Sequence, residues 1–124
     1  MPGPLLHAQA VAVALASPLI ARLPPRRLER VLRIADGGGA PDTAAPAAAE
    51  RALALTGRVI RHTCYTRGIT RYLLLRHGRS GLSLVFGLDA LSREGHCWLL
   101  LDGRPYLEGD GPHPRFVPVW HVGA

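Results

Sequence analysis

Apolar residues recur at helical spacing through the first half of the chain, in segments rich in Ala and Leu. Residues 5–16 predict a buried helix, and residues 26–34 place apolar side chains on one face and arginines on the other. The Gly-rich and Pro-rich stretch of residues 36–46 predicts a flexible connection, and residues 47–60 are again helical in composition. This half is predicted to pack as helices and carries no chemical motif.

A further helix is predicted over residues 64–77. Thr63 has the hydroxyl of an N-cap residue, and Gly78 suits the position that follows a helix C-terminus. Cys64 then lies in the first turn, where unpaired backbone N–H groups and the helix dipole favour a thiolate. The same N–H groups can hold an oxyanion, so the position suits a nucleophile.

The remainder of the chain predicts short strands separated by turns. Asp102 and Gly103 form a hairpin signal, and residues 89–95 read as a connecting loop. The predicted strands cover residues 82–88, 96–101, 104–107 and 116–122. A helix packed on a small antiparallel sheet, with further helices before it, gives an α+β fold.

Composition limits the class of protein. The 124 residues fit one small domain, and 48% hydrophobic with 19% charged residues predicts a packed globule. All fifteen basic residues are arginine, and the net charge is +6. This charge favours an acidic partner or substrate, but the codon bias of a GC-rich genome also explains it. The arginines are spread along the chain without an RNA-binding aromatic motif, so no nucleic-acid partner is expected.

The cysteine content and the N-terminal segment predict the cellular compartment. Two cysteines, Cys64 and Cys97, do not make a disulfide framework. Residues 5–23 are apolar, but no basic segment precedes them and Pro18 interrupts them, so we expect neither a signal peptide nor a membrane span. A cytoplasmic protein is the expectation.

Cys64, His96 and Asp102 are the candidate catalytic residues. An imidazole can take the proton of a thiol, and a carboxylate can fix the tautomer and orientation of that imidazole. Asp102 has the same strand parity as His96, but six residues of strand span roughly 20 Å. Direct contact between Asp102 and the imidazole therefore requires a bend or a bulge.

Other interpretations of these residues stay open. Taken singly, each residue has an ordinary explanation: a buried thiol for Cys64, a strand-end histidine for His96 and a turn residue for Asp102. A zinc site made by His62, Cys64, His96 and Cys97 lacks the usual spacing of ligands. Adjacent strand residues point to opposite faces, so His96 and Cys97 are poorly placed to share a metal. No metal and no cofactor are therefore expected.

Several blocks of the sequence resemble the transglutaminase-like B2 proteins of lasso-peptide biosynthesis. The blocks are CYTRG at 64–68, RYLLLRHG at 71–78, LVFGL at 84–88 and GHCWLLLDGRPYLE at 95–108, with looser likeness in RLPPRRL at 22–28. The resemblance implies a transglutaminase-like or papain-like core at residues 47–124. A helical N-terminal segment, residues 1–46, packs on that core within one domain.

The resemblance also implies a function. Cys64 matches the nucleophile of the family, His96 its general base and acid, and Asp102 its orienting carboxylate. The implied reaction is removal of the leader peptide from a ribosomally made lasso-peptide precursor, without a cofactor. The implied partners are the precursor leader, a B1-type leader-binding protein and an asparagine-synthetase-like cyclase. A non-catalytic scaffold with the same fold, and acyl transfer to an amine, are the alternatives.

Overall fold

The computed structural model describes residues 3–35, 37–107 and 115–123. The helices in these residues are α1 (Pro4–Ala21), α2 (Pro25–Leu32), α3 (Ala45–Thr56) and α4 (Cys64–Leu75). The strands are β1 (Leu82–Asp89), β2 (Gly95–Leu101), β3 (Arg104–Pro105) and β4 (Phe116–Gly123). The predicted α+β class is confirmed, with every described strand pair antiparallel.

Helix α1 continues past Pro18, beyond the predicted end at residue 16. Proline has no N–H to donate to the carbonyl four residues earlier, here that of Ala14. The Ser17 hydroxyl donates to this carbonyl at 2.8 Å, so it is satisfied inside the protein. By length and apolar composition α1 is also able to cross a membrane. In this fold it packs against α3 and α4.

Helix α4 begins at Cys64, as the capping signal predicts. The Thr63 hydroxyl accepts a hydrogen bond from the Thr66 N–H, and the Thr66 hydroxyl accepts one from the Thr63 N–H. This reciprocal pair is a capping box, which fixes where the helix starts. The helix ends at Leu75, and Gly78 has a φ of +74°, so glycine suits this position. The cap thus sets the position of Cys64.

The sheet has the strand order β3-β2-β1-β4. In the β1–β2 register, His96 lies opposite Gly87 and Cys97 lies opposite Phe86. Partners directly opposite each other share a face, and successive residues alternate between faces. His96 and Cys97 therefore project from opposite faces of β2, as predicted.

The helices and the sheet share one main core. Leu28 and Leu32 from α2 pack in the same buried cluster as Ile69 of α4 and Leu84 of β1. A second cluster of small residues lies between α1 and α3. The N-terminal helices therefore contribute to the core itself, and residue 46, the expected boundary, lies inside α3.

Gly68 allows α4 to approach the sheet closely. A Cβ atom at this position would lie 2.9 Å from the Cys97 Sγ and 3.0 Å from the Leu84 Cδ1. Both atoms belong to fully buried side chains, so neither has room to retreat. The glycine therefore sets the distance between the helix that carries Cys64 and the strand that carries His96.

We expect Gly68→Ala to be more destabilising in the wild type than in a Cys97→Ala background. The added methyl group overpacks the helix–sheet contact at a cost of about 1–3 kcal/mol, offset by about 1 kcal/mol of helix propensity. Removing the Cys97 sulfur leaves room for that methyl group. Urea unfolding of the wild type, the two single variants and the double variant measures the coupling free energy between positions 68 and 97. Equal effects of Gly68→Ala in both backgrounds would contradict the contact.

Candidate active site

Cys64 and His96 line the same cleft. The cleft is open to solvent and has a volume of about 450 Å³. Both side chains are half-buried, so each is accessible from the cleft. The residues that line it are His62, Thr63, Cys64, Arg67, Arg71, His96 and Leu107. The structure therefore brings two of the three predicted catalytic residues to one accessible surface.

The His96 ring packs against two aromatic rings. Its centroid lies 5.8 Å from that of Trp98 and 5.0 Å from that of Phe116, with interplanar angles of 24° and 30°. Such offset stacking limits rotation of the imidazole. Phe116 belongs to β4, and its role was not apparent in the sequence. Only the pairing of β4 with β1 brings it to His96.

Arg115 supports Phe116 from the solvent side. Its guanidinium lies 4.7 Å from the Phe116 ring centroid and pairs with Glu94 at 3.0 Å and with Asp89 at 3.6 Å. Asp89 in turn accepts hydrogen bonds from the Leu91 N–H and the Ser92 hydroxyl, and these hydrogen bonds lower its pKa. Ion pairs of Arg115 thus link the loop between β1 and β2 to the start of β4, where Phe116 contacts the His96 ring.

Asp102 lies at the other end of β2 from His96. Its side chain lies against Gly81, and its N–H donates to the Gly81 carbonyl at 3.0 Å. Strand β2 runs from Gly95 to Leu101 without a described irregularity, so about 20 Å separates the two residues. The bend required for contact is not present. The structure therefore separates Asp102 from the predicted pair.

Asp102 instead shapes the turn between β2 and β3. Its φ of +53° and the φ of +82° at Gly103 are those of a tight hairpin turn. Asp and Asn tolerate this left-handed conformation better than other residues with a side chain. The Asp-Gly signal in the sequence is therefore explained by the turn.

His62 braces the start of α4. Its Nε2 lies 2.7 Å from the Thr56 hydroxyl, and its Nδ1 lies 3.0 Å from the Thr66 hydroxyl. The Thr56 hydroxyl donates to the Ala52 carbonyl, so it accepts from the His62 Nε2–H. The Thr66 hydroxyl also donates to the Thr63 carbonyl at 3.1 Å, so both ring nitrogens of His62 lie against hydroxyl groups that have a carbonyl acceptor. Burial and the nearby Arg67 charge lower the His62 pKa.

Tyr65 occupies the space above Gly95, next to His96. Its hydroxyl lies where a side chain at residue 95 would project, and its ring stacks on Phe86 at 6.1 Å. Burial raises the pKa of Tyr65, and negative charge on the nearby Cys64 and Cys97 sulfurs raises it further. Tyr65 is therefore a neutral phenol close to both thiols, a placement that the sequence pattern did not reveal.

Cys97 is buried beneath α4 and does not line the cleft. The four residues of the predicted zinc alternative are thus divided between the cleft and the core. Across residues 3–35, 37–107 and 115–123, no three His, Cys, Asp or Glu side chains form a metal-binding group. His121 lines a separate groove on the outer face of the sheet.

A cysteine at the first turn of a helix, packed on an antiparallel sheet that carries a histidine, is the arrangement of the transglutaminase-like fold class. The profile of the transglutaminase-like superfamily matches residues 10–121, so the chain belongs to that superfamily. No curated protein and no solved structure matches the chain. The superfamily includes cysteine peptidases and transferases. The predicted fold is thereby confirmed.

We expect the hydrogen-bonded His62 side chain to make folding stability pH-dependent. The folded-state pKa is below 6.5, the value of an unperturbed histidine, so the unfolded chain binds a proton first as the pH falls. The stabilisation is complete above pH 6.5 and is lost as the pH falls through the folded pKa. Urea unfolding between pH 7.5 and pH 5 should show a steeper loss for the wild type than for His62→Gln. Parallel pH profiles would contradict this assignment.

Proposed function

We propose that this chain is a cysteine peptidase that removes the leader peptide from a ribosomally synthesised lasso-peptide precursor. The observation that carries the proposal is that Cys64 and His96 line one open cleft. Membership of the transglutaminase-like superfamily supports cysteine chemistry. The sequence blocks around Cys64 and His96 that resemble lasso-peptide B2 proteins support the choice of substrate.

In the proposed reaction, Cys64 is the nucleophile and His96 is the base and acid. The imidazole accepts the thiol proton, and the thiolate attacks the scissile carbonyl. We assign the stabilisation of the tetrahedral oxyanion to backbone N–H groups at the start of α4 other than that of Thr66, which the capping box uses. His96 then protonates the departing amine, which leaves the leader as a thioester on Cys64. Water activated by His96 hydrolyses the thioester and restores the thiol.

Aromatic stacking supports the orientation of His96 in this proposal. A catalytic histidine needs its ring held in one plane, and Trp98 and Phe116 provide that restraint. Asp102 is too distant to contact the imidazole, so we assign it to the β2–β3 turn. This assignment departs from the role that the family resemblance implies for Asp102.

The proposed setting is a cytoplasmic peptide-maturation complex. We propose that a B1-type protein presents the leader, and that an asparagine-synthetase-like cyclase acts on the released core peptide. Leu5, Leu15 and Leu19 are exposed on the outer side of α1 and offer an apolar face for such a partner. The N-terminal helices share the main core, so partner binding is best tested with the full chain.

We expect the purified chain, with the B1-type protein, to cut the precursor at the single bond between leader and core. Cys64→Ala should abolish cleavage, whereas the matched variant Cys97→Ala should retain it, because Cys97 lies outside the cleft. Intact-mass measurement of both fragments checks the result. It also separates hydrolysis from transfer, because acyl transfer makes the leader heavier than the hydrolysed leader by the mass of the amine less one water.

Two results would contradict this proposal. Cleavage that survives Cys64→Ala would exclude Cys64 as the nucleophile. A folded wild-type chain that binds the precursor and B1-type protein without cutting would favour the non-catalytic scaffold. Omitting the B1-type protein tests the proposed partner, since we expect cleavage to slow greatly when leader presentation is lost.

We expect His96→Gln and Asp102→Asn to differ sharply. Loss of the general base should reduce kcat by about 10²–10⁴-fold, because general acid–base catalysis contributes a factor of that size. Asn tolerates the left-handed conformation of Asp102, so Asp102→Asn should stay within a few-fold of wild type. Single-turnover cleavage rates provide the comparison. A loss for Asp102→Asn as large as that for His96→Gln would restore the carboxylate to the catalytic group.

A further inference from the structure

Arg67 places a positive charge on the wall of the cleft, one helical turn beyond the nucleophile. Residues three apart on a helix are surface neighbours, with Cβ atoms about 5–6 Å apart, so Arg67 and Cys64 face the same side of α4. Both residues line the cleft. The guanidinium is therefore within reach of any peptide whose scissile bond lies at Cys64.

The lining of the cleft is basic. It contains Arg67, Arg71, His62 and His96, and it includes no acidic side chain among the described residues. Arg71 is compensated, because it forms two hydrogen bonds with the Glu50 carboxylate, at 2.7 and 3.1 Å. Both ring nitrogens of His62 are within hydrogen-bond distance of the Thr56 and Thr66 hydroxyls. Arg71 and His62 are thus occupied within the protein.

Arg67 differs from these neighbours. Its side chain is exposed, and it forms no ion pair with an acidic residue in the part of the chain that the structure describes. Its charge contributes, after burial, to the lowered pKa of His62, which lines the same cleft. The guanidinium of Arg67 is thus a solvent-exposed cation on the wall of the cleft, and such a charge attracts an anion. The cleft therefore favours a negatively charged ligand at this point.

We propose that Arg67 is a specificity-determining residue that binds an acidic side chain of the substrate within two residues of the cleaved bond. A peptide in the extended conformation advances 3.2–3.4 Å per residue, so the reach of Arg67 covers about two positions on one side of Cys64. Arginine suits this role because its guanidinium forms paired hydrogen bonds with a carboxylate. The inference rests on the proposed peptidase function and adds a charge preference to it.

The test measures binding separately from chemistry. Junction peptides of the precursor carry either Glu or Gln at one of the four positions nearest the cleaved bond, and otherwise do not differ. Their affinities are measured on the full-length Cys64→Ala variant, which binds without turnover. We expect one position at which Glu binds about three- to tenfold more tightly than Gln at low salt, with a smaller ratio at high salt.

Two variants of Arg67 then assign the preference. Arg67→Gln in the Cys64→Ala background should bring the ratio between the Glu and Gln peptides close to one. Arg67→Glu should reverse it, with a Lys peptide bound more tightly than the Glu peptide. The matched control is Arg104→Gln, the same charge change at an exposed residue of β3. We expect it to leave the preference intact.

The outcomes distinguish this inference from the function on which it rests. Equal binding of the Glu and Gln peptides at all four positions, or a preference that persists in Arg67→Gln, overturns the role of Arg67. Cleavage by the wild type without a charge preference would support the peptidase function and contradict the subsite at Arg67. A charge preference in binding without cleavage would support the subsite and contradict the peptidase.

Discussion

The close contact between α4 and the sheet at Gly68 determines the rest of the site. Cys64 lies on the helix and His96 on the sheet, so their separation depends on how deeply the helix packs. The missing side chain at Gly68 brings the backbone of α4 against Cys97 and Leu84. The capping box at Thr63 then fixes which residue occupies the first turn. Packing depth and the position of the cap together bring Cys64 to the cleft.

Much of this local structure could be predicted from the sequence. Capping and turn signals act over three or four residues, so the start of α4 and the β2–β3 turn follow from Thr63, Asp102 and Gly103. The extension of α1 past Pro18 was missed, because it depends on a serine hydroxyl that satisfies one particular carbonyl. Strand parity correctly placed His96 and Cys97 on opposite faces. Local rules were reliable where the determining contact was itself local.

The environment of His96 could not be predicted in the same way. Phe116 is twenty residues beyond the histidine and reaches it only through the pairing of β4 with β1. Tyr65 lies beside Gly95 because α4 crosses the sheet at this point. Asp102 is a different case: it has the strand parity of His96, but the expected distance of about 20 Å along the strand already required a bend, and β2 runs without one. A straight strand keeps its two ends apart, whatever chemistry the residues could perform together.

The contacts and positions of the arginines say more about their roles than their number does. Their abundance alone supports a biased genome as well as an acidic ligand, because both give the same count. In the structure, Arg33, Arg71 and Arg115 form ion pairs, and Arg76 and Arg79 donate to backbone carbonyls. These five have structural partners. Arg67, like several other exposed arginines, forms no ion pair among the described residues, but it lines the cleft. A biased genome explains why the residue is arginine rather than lysine. It does not explain why this cation lies beside the nucleophile. A negatively charged substrate that binds there would explain this position.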